Sequence, residues 1–184
     1  MNDHAFWPGT KMLRTVVRSS GADDPSVSTV ERNKTTTIDL LNRALTIART
    51  GAARCERQYF AASRNHLPAL AAVALEHANE AQVHAGRISE RIVNLGRKPD
   101  ASSDPANRGS QPGQGAANSL ATMISQHVAA GRATINSYRQ IAALFDPFDP
   151  PSKKLIDDIV CAEEACVSQL ASLLDESSTA KKEA

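Results

Sequence analysis

Apolar residues recur at three- and four-residue steps through four long segments of this 184-residue chain. That spacing puts one buried stripe on an α-helix. In the first segment, from Thr35, the stripe is Ile38, Leu41, Leu45, Ala48, Ala52, Cys55 and Tyr59, with the threonines of TTTIDLL available as caps. Gly51 in its middle costs about 1 kcal/mol against alanine, so close packing or a local bend is expected there. The second segment carries Leu70, Val73, His77, Ala81, His84, Ile88, Ile92 and Leu95, starts after Pro68 and stops at Gly96 with Pro99 beyond. The third, about 118–145, turns Leu120, Ile124, His127, Gly131, Ile135, Tyr138 and Ala142 inward and ends at DPFDPP. The fourth, about 152–176, has Ile156, Ile159, Glu163, Cys166, Leu170 and Leu173.

Composition agrees with helices. Aromatic residues are 4% of the chain and there are 30 alanines, so leucine, isoleucine, valine and alanine must fill the core. The first and second segments are separated by a few residues around Asn65, His66 and Pro68, which makes them antiparallel neighbours. The Pro, Gly, Ser and Asn run RKPDASSDPANRGSQPGQGAAN is long enough to cross the length of a bundle. The expectation is an all-α chain: an antiparallel four-helix bundle over residues 35–176 with a long crossover between the second and third helices. A loosely ordered arm (1–34) precedes it and a short solvated tail (177–184) follows.

Twenty-one Lys and Arg against 20 Asp and Glu leave a formal charge of +1, which supplies no field for nucleic acid or an anionic membrane. No apolar run reaches the ~20 residues of a membrane span. Cys55, Cys161 and Cys166 are an odd set, and MNDHAFWPGTKMLR does not read as a secretory leader, so the expected compartment is the reducing cytoplasm.

LEHANEAQVHAGRISERIVNLGRKPD resembles the second helix of bacterioferritin-type ferritin-like proteins. LLNRAL with RQYF, INSYRQI and EEACVSQLASLL resemble their first, third and fourth helices, and the resemblance covers about residues 31–176. It implies a ferritin-like bundle whose centre would hold two irons through a Glu, a Glu-x-x-His, a further Glu and a second Glu-x-x-His. The matching positions here are Ala48, then Ala81 with His84, then Gly131, then Glu163 with Cys166. Two of the six donors remain, and Cys55 stands where relatives commonly have an inward Tyr.

His84 and Glu163 are therefore the candidate metal residues, with His127 or Cys166 as a third donor for weakly bound iron or another divalent ion. The competing reading is a buried imidazole hydrogen-bonded to a carboxylate, which the rule that buried polar groups find partners favours. His77 reads as a satisfied core histidine, and the cysteines as inert buried thiols. Glu76, Glu80, Glu90 and Glu164 read as surface acids. With Gln82 and Val83 near the place where relatives supply a haem-ligating Met, no haem is expected.

The resemblance thus implies an oligomer subunit in iron storage or homeostasis that has lost most of its ferroxidase ligands. The resemblance implies ferroxidase activity, while Ala48, Ala81, Gly131 and Cys166 at four of the six ligand positions argue against it; the subunit would assemble with itself or with an active ferritin-like paralogue. Two alternatives follow from the same residues: a module binding a metal or small ligand in the emptied centre, and a weakly active iron protein with relocated ligands.

Overall fold

The computed structural model describes residues 25–101, 120–145 and 148–180. Four helices make up nearly all of them: α1 (Pro25–Arg64), α2 (Pro68–Asn94), α3 (Leu120–Phe145) and α4 (Pro150–Ala180), with no strand among the described residues. Nearly every residue of the four expected stripes is buried, and Tyr59, Leu95, Leu120, Glu163, Cys166 and Leu173 are half-buried. α1 packs mainly on α2 and α3 mainly on α4; lighter contacts of α1 with α3 and of α2 with α4 join the two hairpins into the bundle. None of the described helices is long and apolar enough to cross a membrane.

The chain punctuates these helices by local chemistry. α1 ends in a Schellman turn: Leu67 N–H donates to Ala62 O and His66 N–H to Ser63 O, with His66 at φ 56°. Leu67 then packs into the core beside Leu70, and Pro68 opens α2. α2 ends in the same way, Arg97 N–H donating to Ile92 O and Gly96 N–H to Val93 O, with Gly96 at φ 80°. α4 opens at Asp149, whose carboxylate Oδ1 accepts the Ser152 N–H at 3.2 Å. Arg91 from α2 clamps this cap: its Nη2 donates to Asp149 Oδ1 and Oδ2 at 3.0 and 3.3 Å, and its Nε to Ser152 Oγ at 2.9 Å.

Three expectations about helix limits are corrected. α1 begins at Pro25 rather than Thr35, because residues 29–32 are exposed all round and leave no apolar period to read, while the packed part of the helix carries them. The threonines do not cap: the Thr35 and Thr36 hydroxyls donate back to Glu31 O and Arg32 O within the helix, each at 3.0 Å. α4 continues past Glu176 to Ala180. Residues 1–24, most of the crossover (102–119) and 181–184 lie outside the described residues.

Candidate functional site

The core is two apolar clusters placed end to end. One gathers Leu41, Leu45, Ile88, Tyr138, Phe145, Ile156 and Ile159; the other Ala62, Leu70, Val73, Ile124, Val128 and Leu170. Val167 packs against both. Between them lies a polar layer around a small cavity of about 20 Å³, close to the room one water needs. Its walls include Ala48, Gly51, Arg54 and Cys55 from α1, His77, Glu80 and Ala81 from α2, His127, Gly131, Thr134 and Tyr138 from α3, and Glu163, Cys166 and Val167 from α4.

The layer divides into three contacts. His84 Nδ1 lies 3.5 Å from Glu163 Oε1, at ion-pair range but without the alignment of a hydrogen bond. The Cys166 thiol donates to Glu80 Oε2 at 2.6 Å. His127 Nε2 is the shared point of the third, 3.5 Å from Cys55 Sγ and 3.4 Å from His77 Nδ1, with the two rings edge to face at 88°. Sequence reasoning joined His84 with Glu163 and the structure does so too. It places His127 with His77 and Cys55, and Cys166 with Glu80. Glu80 is thus corrected from a surface acid to a wall of the cavity. Among the described residues no group of three or more His, Cys, Asp or Glu side chains is placed to hold a metal ion.

Burial sets the protonation of this layer. It pushes the His127 imidazole down to about 4, helped by His77 and Arg54, and lowers His77 as well, so both rings are neutral near pH 7. It raises the Cys55 thiol to about 11 despite the neighbouring Arg54. Burial followed by the Glu80 hydrogen bond raises Cys166, and burial raises Tyr138, so neither ionises. Arg54 Nη2 reaches Thr134 Oγ1 at 3.5 Å, while Arg54 Nε, His77 Nε2, His127 Nδ1 and Tyr138 Oη are buried without a protein partner.

Two glycines in this layer differ sharply. A Cβ at Gly131 would stand 2.5 Å from Val167 Cγ2, so the valine methyl fills the space a side chain there would need. A Cβ at Gly51 meets nothing within 4 Å, so close packing does not explain that glycine, and α1 runs through it unbroken. Gly51→Ala is therefore expected to stabilise the protein by about 1 kcal/mol. Gly131→Ala is expected to destabilise it by about 1–2 kcal/mol, overpacking outweighing the gain in helix propensity. Urea midpoints of the two variants check the opposite signs.

The arrangement of α1 to α4, with a long connection between two hairpins, can now be set beside known proteins. The ferritin-like domain family matches residues 38–179. The chain belongs to the ferritin-like family. This ferritin-like protein is similar in fold to a bacterioferritin-related protein from Bacteroides fragilis, described as a dodecameric thioferritin, at 23% identity over 86% of this chain and 97% of that one, TM-score 0.71. It is similar to the Desulfovibrio desulfuricans bacterioferritin, described with a di-iron site, at 20% identity over 79% and 82% of the two chains, TM-score 0.67. A Dps1 variant from Mycobacterium smegmatis aligns at 13% identity over 78% and 98%, TM-score 0.69. No curated protein matches the chain.

Ile47, Arg54, Thr134 and Val167 are the wall residues that sequence reasoning missed. The signal was a second stripe, Ile47, Gly51, Arg54 and Gln58, running beside Ala48, Ala52, Cys55 and Tyr59. In a bundle the apolar face is wider than one row, and Arg54 lies on its edge.

Proposed function

We propose that this ferritin-like chain is a shell or assembly subunit of an oligomer serving iron storage or homeostasis in the cytoplasm, with no oxidation centre of its own. It would assemble with itself or with an active paralogue. The observation that carries this reading is the donor set of the middle layer. Ala48, Ala81 and Gly131 present no oxygen or nitrogen side chain, Val167 occupies the space over Gly131, and the Arg54 guanidinium lines the same cavity.

These residues do not fit a carboxylate-bridged iron pair. Hard cations of that kind need several carboxylates converging on one point, and of the two acids on the cavity wall Glu80 accepts the Cys166 thiol while Glu163 faces His84. The dodecameric assembly of the Bacteroides fragilis relative supports the oligomer. So do the exposed Phe60, Leu75, Val83 and Val93 of the α1/α2 hairpin, apolar surface that a single chain leaves in water.

The test is aerobic ferrous iron added to the purified protein, with particle size followed by light scattering. Oxidation no faster than in buffer, by a particle larger than one chain, is expected. Fast oxidation at two irons per chain defeats the reading.

A further inference from the structure

Going beyond that reading, we propose that one water molecule is a fixed part of the polar layer, bonded in the cavity to the Tyr138 hydroxyl and Arg54 Nε–H as donors and to the Glu163 carboxylate as acceptor. It joins α1, α3 and α4 at the level between the two apolar clusters.

Two buried donors carry the argument. Tyr138 is 0% exposed and lines the cavity, and its Oη is buried without a protein partner. Arg54 lines the same cavity from α1, and its Nε is likewise buried without one. Taking such groups out of water with nothing to bond costs more than a made hydrogen bond returns. In native proteins buried polar groups therefore find a partner in the protein or in ordered water. Arg54 and Glu163 both act electrostatically on the Tyr138 hydroxyl, which gathers the three groups around shared space.

Size and charge select the guest. The cavity of about 20 Å³ exceeds the ~10–15 Å³ that one water needs and is too small for a molecule of several heavy atoms. Its walls carry both signs, Arg54 against Glu80 and Glu163, so a neutral dipole suits it better than an ion of either charge. Among the described residues no group of three or more His, Cys, Asp or Glu side chains is placed to hold a metal ion. The hydrogen bonds close as well. Tyr138 stays protonated and Arg54 stays cationic, so both donate, and a water has two lone pairs to receive them. Of the wall acids, Glu80 already accepts the Cys166 thiol. Glu163 faces His84 through Oε1, which leaves Oε2 to accept a water O–H.

Tyr138→Phe removes the hydroxyl and keeps the ring, so the sign of its effect on urea unfolding is the test. With the hydroxyl bonded to water, the folding constant is expected to fall roughly 2- to 10-fold. A hydroxyl buried with no partner would be better removed, so an unchanged or raised constant overturns the proposal. A crystal structure of the full-length parent protein that shows ordered solvent is the second measurement, and it decides alone should Tyr138→Phe fold poorly. One solvent peak about 2.5–3.0 Å from Tyr138 Oη is expected, without anomalous scattering. No peak there, a protein atom bonded to Oη in its place, or the anomalous signal of a metal or halide ion overturns the assignment. The iron-oxidation result is read separately, so either conclusion can fail without the other.

Discussion

Lowering the pH from about 7 to about 4 is expected to remove about 3 kcal/mol of folding stability. The cause is His127, whose imidazole is held down to about 4 by burial, with His77 and Arg54 adding to the effect. In the unfolded chain a histidine titrates near 6.5. Between those values the unfolded state binds a proton that the folded state refuses, so stability rises with pH across the window. It is present in full above about 6.5 and lost as pH falls through about 4. His77 is lowered in the same direction and adds to the slope. The groups around the pair are Arg54 and Cys55 on α1, Glu76 and Glu80 on α2, and Glu163 and Gln169 on α4. Urea unfolding at a series of pH values measures the slope. A His127→Gln chain should show a flatter profile whatever its absolute stability, and a flat profile in the parent protein would contradict the account.

Asp149→Ala is expected to cost a similar amount, about 3 kcal/mol. The substitution removes two things together: the cap on the Ser152 N–H and the partner of Arg91, which is left with its guanidinium largely covered and uncompensated. Asp149→Asn keeps a capping oxygen and loses the charge, so it should fall between the parent and the alanine variant. The partly exposed i, i+4 pair Lys153–Asp157 is the internal comparison, and Asp157→Ala should cost within about 0.5 kcal/mol. Equal losses for Asp149→Ala and Asp157→Ala would show that the clamp contributes no more than a surface ion pair.

The frame was readable from residue spacing because a bundle helix must bury one face, and burial leaves the same mark whatever chemistry the centre holds. Ile38, Leu41 and Leu45, or Ile88 and Ile92, can occupy only the core once the period is recognised. The start of α1 was not readable, because residues 29–32 face solvent on every side and helix there is propagated rather than packed.

The centre was readable only where one stripe sufficed. His84 and Glu163 meet as their positions on α2 and α4 required. Whether His127 turns toward that pair or toward Cys55 and His77 depends on side-chain depth along the axis, which spacing within one helix does not encode. Glu80 illustrates the same limit. One residue before Ala81, it sits at the boundary between the exposed and buried faces, and the thiol of Cys166 draws it in. Val167 was invisible for another reason, since the volume over Gly131 is a property of two helices at once.

The interlock of Gly131 with Val167 also makes the order of change matter. A donor introduced first at position 131 collides with the valine methyl and unsettles the bundle before it can serve any ion. A smaller residue placed first at 167 opens the space at the cost of a cavity, after which position 131 is free to vary. Any path from this chain back to a carboxylate-rich interior is therefore gated, and the gate stands on the fourth helix, at a residue that would itself ligate nothing.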